Sequence, residues 1–179
     1  MKKQLIATLV GTIILFLWQF LSWGPLNIHG AEMKHTPNQD AILEFLSQNL
    51  EDGEYFLPRA PEGSSAEVEQ QAMQDALGKP WAQISYHSKM ELNMGMNLLR
   101  GFVIDFVAVW LLVWILLQFA ELNFMKTILS SLAIGGIGYF TIVYLNSIWY
   151  EGSTLGYIID TIVTWGVVGV WLGWFLNRK

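Results

Sequence analysis

Apolar runs long enough to cross a bilayer, interrupted by charge in their interiors only at Asp105 and Asp160, occur four times, at about Leu5 to Trp23, Leu98 to Ala120, Thr127 to Trp149 and Thr154 to Leu176. A hydrocarbon core about 30 Å thick takes roughly 20 apolar residues per helix. Backbone in hydrocarbon must satisfy its own hydrogen bonds, so each run predicts a helix, and the alternation of a barrel strand is absent. The pattern therefore predicts an all-α membrane fold, a four-transmembrane-helix bundle interrupted once by a small α+β insertion. Residues 1–24 form the first span, 25–97 the insertion and 98–179 the remaining three spans.

Within the insertion the pattern changes period. Thr36 and Pro37 open a helix whose apolar face is Ile42, Leu43, Phe45, Leu46 and Leu50, and Asp52-Gly53 ends it. Tyr55, Phe56 and Leu57 suit a short strand, stopped by Pro58 and Pro61. Ser64 or Ser65 caps a second helix that ends at Gly78. Trp81 to Ser88 alternates imperfectly and pairs with the first strand as a ribbon, and Met90 to Met96 continues as helix into the second span.

Charge orients this scheme. Lys2, Lys3, Lys126, Arg178 and Lys179 flank the spans on one side, whereas residues 25–97 carry eleven acidic residues against four basic ones. Lys and Arg favour the cytoplasmic flank, which places both termini in the cytoplasm and the acidic segment outside. Trp18, Trp23, Trp149, Trp171 and Trp174 lie towards span ends, where an amphipathic ring straddles the headgroup boundary. A cleaved leader is the alternative for the first span, but its apolar run exceeds a signal core, and His29 precedes the small Gly30-Ala31 pair. With a net charge of −5 the chain lacks the basic footprint of nucleic-acid binding. Having no Cys, it has no disulfide, thiolate metal site or Cys catalysis.

Asp105 and Asp160 are the only acidic residues inside the spans, and their surroundings repeat. Gly101-Phe102-Val103-Ile104-Asp105 aligns with Gly156-Tyr157-Ile158-Ile159-Asp160, and Trp110 with Trp165. Such a match fits duplication of a helical hairpin, with coincidence in similar composition as the alternative. Each Asp lies some six or seven residues inside its span, about 10 Å below the boundary at 1.5 Å per residue. A carboxylate there needs a partner, water or a proton. One reading is a facing Asp pair holding a proton or cation. The other is structural, with hydrogen bonds from Thr, Tyr, Asn or Trp, or from Arg100 on the same helix, pinning helices together. An aspartyl protease also uses two carboxylates, but no motif of that class accompanies them.

Small residues mark packing faces: Gly101 and Gly156 one turn before each Asp, Ser131 and Gly135 in the third span, and Gly166, Gly169 and Gly173 in the fourth. Gly135-Gly136-Ile137-Gly138 loosens the third helix. His29, Glu32 and His35 have metal-ligand types, but Pro25 and Gly30 make the stretch a solvated loop, so no metal site is expected there. His87 reads as a polar strand residue. No Ser/His/Asp constellation, phosphate loop or HExxH motif appears, so neither a catalytic site nor a cofactor is expected.

Trp18-Gln19-Phe20-Leu21-Ser22-Trp23, then Tyr55-Phe56-Leu57-Pro58 within a long acidic loop, resembles a family of small bacterial inner-membrane proteins. The resemblance implies a plasma-membrane location and carries no activity. The expected role is an accessory, scaffold or assembly subunit that binds another membrane or envelope protein, or itself, through the acidic insertion. The alternative is ion or proton coupling through Asp105 and Asp160.

Overall fold

The computed structural model describes residues 2–178. They form two compact units, one of residues 2–34 and 93–178 and one of residues 35–92.

The first unit contains four helices long and apolar enough to cross a membrane. They are α1 (Lys2–Trp23), α4 (Met94–Leu116), the composite Phe124–Tyr150 and α7 (Leu155–Leu176). The composite is built from α5 (Phe124–Gly138), a π-helical turn (Tyr139–Tyr144) and α6 (Leu145–Tyr150). Asn side chains set two of the starts. Asn93 accepts from the Met96 amide at the head of α4, and Asn123 accepts from the Lys126 amide at the head of α5. The helix expected from Met90 therefore begins only at Met94, where the Asn93 cap places it.

Helix α1 packs against both α4 and α7, and α5 packs against α7. Ala7, Leu15, Val109, Leu112, Val113, Leu116, Val168 and Leu172 are buried together, mostly in the half of the bundle towards Lys3 and Arg178. At that end Lys3 Nζ donates to the Leu176 carbonyl at 3.1 Å and also to the Arg178 carbonyl. A cation on the last carbonyls of a helix complements both their lone pairs and the helix dipole. Trp171 Nε1 donates to the Ala7 carbonyl at 3.1 Å, and the Arg178 guanidinium lies 3.5 Å from the centre of the Trp174 ring.

Small residues bring α5 and α7 together. A methyl group added at Gly169 would lie 3.0 Å from Ser131 Cβ and 3.1 Å from Ile128 Cα, and one at Gly135 only 2.1 Å from Trp165 Cδ1. Gly173 faces Phe124 and Gly166 faces Leu132 in the same contact. Three hydroxyls of the buried faces take their acceptors from their own helices. Thr12 donates to Thr8 O at 2.9 Å, Thr127 to Asn123 O at 2.9 Å and Ser131 to Thr127 O at 2.8 Å.

The second unit comprises α2 (Gln39–Asn49), β1 (Gly53–Leu57), α3 (Ala66–Ala76) and β2 (Ala82–Tyr86). The strands pair antiparallel, with Gly53 opposite Tyr86 and Leu57 opposite Ala82. Ser85 Oγ donates to Glu54 Oε1 across the pair at 2.7 Å, and the Ser88 amide donates to Asp52 Oδ1 at 2.8 Å. Those bonds from Ser88 hold the Asp52 carboxyl below the ordinary carboxylate range, as the Ser65 hydroxyl does for Glu67 at the start of α3. This unit is shorter than the expected insertion of residues 25–97. Residues 25–34 belong with the long helices, for reasons given below.

The α5–α7 contact leaves no room for side-chain bulk. Gly135→Leu is expected to cost about 1–3 kcal/mol through overpacking. It should lower the thermal unfolding midpoint in detergent, whereas Gly138→Ala, whose added methyl meets nothing within 4 Å, should not.

Candidate functional site

The half of the bundle towards Trp23 is polar where the other half is apolar. Its foundation is the last part of α1, which supplies Trp18, Gln19 and Ser22. Asp160, on the second turn of α7, takes two bonds on Oδ1: from Trp18 Nε1 at 2.9 Å and Ser22 Oγ at 2.6 Å. Asp105 of α4 accepts from Gln19 Nε2 at 3.0 Å on Oδ1, and its buried Oδ2 has no hydrogen-bond partner among the described residues. Both carboxylates are therefore tied to residues 18–22 of α1. No hydrogen bond joins them to each other among the described residues.

The chain leaving α1 completes the site. Gly24 and Pro25 stop the helix, and the backbone turns back on it: the Leu26 amide donates to Leu21 O and the Ile28 amide to Ser22 O. Asn27 adopts φ of 46°, a left-handed conformation that Asn tolerates better than most residues. A Cβ at position 30 would overlap the Asn27 amide at 2.3 Å, so Gly30 permits the turn that follows. These turns set His29 on the Trp23 ring, with centroids 4.0 Å apart and planes 6° from parallel. Tyr157 of α7 approaches edge-on, its centroid 4.9 Å away.

His29 bridges two acids. Its Nε2 lies 2.9 Å from Asp160 Oδ2 and its Nδ1 lies 3.1 Å from Glu32 Oε1. Only 3% of His29 is exposed, against 14% of the Glu32 side chain and 20% of that of Asp160. The stretch is an exposed loop over most of its length, as expected, but His29 within it is buried against the bundle. The local signals for a loop hold, but the loop folds onto the bundle because His29 finds a carboxylate 131 residues later in the sequence. His35 belongs to the other compact unit and is exposed.

The arrangement does not chelate. The ring nitrogens diverge, so Glu32 and Asp160 lie on opposite edges of the imidazole. Among the described residues, no three His, Cys, Asp or Glu side chains are grouped to hold a metal ion. Arg100, offered above as a partner for Asp105, is exposed and makes no ion pair with an acidic residue among the described residues. The donor that reaches Asp105 is Gln19.

The two Gly-Asp segments sit in unlike surroundings. A Cβ at Gly156 would lie 2.7 Å from His29 Nδ1 and 2.9 Å from Glu32 Oε1, whereas one at Gly101 would meet nothing closer than Phe16 Cε2 at 3.9 Å. Trp110 is exposed, but its aligned counterpart Trp165 lies against Gly135.

Gly156→Ala is accordingly expected to displace His29 and cost about 1–3 kcal/mol, as forced bulk does in a filled site. It should speed hydrogen exchange of the amides of residues 26–32 and lower the thermal midpoint, while Gly101→Ala leaves both unchanged. No family model, curated protein or solved structure matches the chain, so the functional reading rests on this geometry.

Proposed function

We propose that the protein is a multi-pass accessory or scaffold subunit of a bacterial plasma membrane that binds an envelope protein, or a second copy, through residues 35–92. Its termini lie in the cytoplasm and its acidic unit outside. Support for the threading comes from Lys2, Lys3, Lys126 and Arg178. These residues flank the ends of helices that the Lys3–Leu176 bond and the Phe124–Gly173 contact bring to one side.

One observation carries the binding reading: the small unit leaves most of its large apolar side chains uncovered. Neither α2 nor α3 contains a buried residue. Phe45 is 64% exposed, Met73 72% and Leu77 75%, with Ile42 and Leu43 exposed beside Phe45. A chain segment this short buries little core, and amphipathic helices normally cover their apolar faces. Exposed apolar surface rimmed by acids is the chemistry of an unfilled protein interface. The unit carries ten acidic residues against three basic ones, which disfavours an anionic membrane surface as the cover.

Gentle extraction after crosslinking in native membranes should yield a species larger than one 20.4 kDa chain. Phe45→Asp and Met73→Asp should each reduce that species at least about tenfold, as expected when a hot spot worth 1.4 kcal/mol or more is lost. A monomer under all crosslinking conditions overturns the proposal.

Ion or proton coupling is the second reading, favoured by Asp105 Oδ2, which is buried with no partner. A carboxylate oxygen in that position draws a proton or cation. On this reading Asp105→Asn abolishes ion or proton flux in proteoliposomes while thermal unfolding stays intact. Flux equal to that of protein-free vesicles before any substitution rejects it.

A further inference from the structure

We propose that Asp105 holds a proton and not a metal cation: its Oδ2 is a hydroxyl in the closed bundle, so Asp105 is the neutral carboxyl inside the spans and Asp160 the charged one. This rests on the coupling reading above for its site and names the ligand held there, but it needs no net transport.

The two side chains carry the same chemistry into opposite surroundings. Asp160 meets Trp18 Nε1, Ser22 Oγ and His29 Nε2 within 2.9 Å, and 20% of its side chain is exposed. Three polar partners and an opening to solvent are what a carboxylate charge needs. Asp105 has one donor, Gln19 Nε2 at 3.0 Å, and only 5% of the residue is exposed. Its Oδ2 is enclosed with no donor among the described residues. An ionised oxygen there gives up its hydration and receives nothing in return, a cost that a neutral acid largely escapes. One amide bond on the other oxygen does not replace a water shell.

No charge nearby supplies the missing compensation. Helix α1, packed against α4, has no charged or titratable side chain from Gln4 to Trp23. The one charged residue of α5 is Lys126, at the end of the bundle where Phe124 meets Gly173 and Lys3 meets Leu176. The titratable groups of α7 are Tyr157 and Asp160, and both face His29. Arg100, on α4 itself, is exposed.

Coordination separates a proton from a metal ion. Hard cations gather an oxygen shell, roughly 6–8 oxygens for calcium and an octahedron for magnesium. Asp105 offers one unbonded oxygen, and no three His, Cys, Asp or Glu side chains are grouped to add to it among the described residues. A proton needs no shell and fits on an enclosed oxygen. It also leaves the existing bond intact, because the carbonyl oxygen of a neutral acid still accepts from Gln19.

Infrared spectroscopy of the full chain in phospholipid nanodiscs reads this directly, since the C=O stretch of a neutral carboxylic acid is resolved from amide and carboxylate bands. Near neutral pH a carboxyl that titrates at the ordinary value of about 3.9 gives no such band. The wild-type chain should show one. Asp105→Asn should lose it and Asp160→Asn should keep it. Exchanging potassium for sodium, or adding calcium or magnesium, should leave it in place. Absence of the band from the wild type overturns the proposal, as does a band removed by Asp160→Asn or by any of these cations. Should Asp105→Asn fail to fold, isotope labelling of the aspartate carboxyl carbons in the Asp160→Asn chain decides: the band must shift, and an unshifted band is equally fatal. A band without flux in proteoliposomes keeps the proton and rejects coupling, whereas flux without the band does the reverse.

Discussion

A carboxylate carried inside an apolar helix must be given donors, and much of this molecule is arranged around giving them to Asp160. Its two oxygens receive bonds from α1 and from the loop that follows α1, three side chains in all. The loop would have little reason to fold back without that acceptor, and Gly156 would have no reason to lack a side chain. Asp105 places a lesser demand on the same part of α1 and is met by Gln19 alone.

The division between a polar end and an apolar end follows from the energetics of helices in lipid. Hydrocarbon tails are as apolar as leucine, so burying Val109, Leu112 or Val168 does not by itself select one helix arrangement over another. Close backbone approach and directional bonds make the selection. At one end these are the carboxylate bonds of the Trp18–Ser22 segment. At the other they are Lys3 on the α7 carbonyls and Trp171 on Ala7. The small residues between α5 and α7 add the short-range contact that holds the third span to the fourth.

The four long helices were legible because a strongly apolar run of about twenty residues has few other physical solutions. Their starts were less so: Asn93 and Asn123 fix two of them, and a single Asn among polar residues is a weak signal until its amide partner is seen. The ribbon and two short helices of residues 35–92 followed from Pro, Gly and Ser punctuation. The π-helical turn begins directly after the glycine-rich stretch that marked the third helix as loosened. The site was less visible. His29 and Glu32 are spaced to pair locally, but the group that turns them into a network lies in the last helix, and no periodicity links positions so far apart. The Gly-Asp segments looked alike as letters. Their settings differ because the loop after α1 covers one of them, and loop placement depends on tertiary partners.

The bonds that join α1 and the loop after it to α7 span between 131 and 173 residues of sequence. During synthesis α1 is made long before α7, so Trp18, Ser22, Lys3 and His29 all lack their eventual partners until the final helix is made. Contacts of such long range close slowly. The part of the polar end built on Asp160 therefore cannot form until the last helix docks, whereas the Gln19–Asp105 bond needs only α1 and α4.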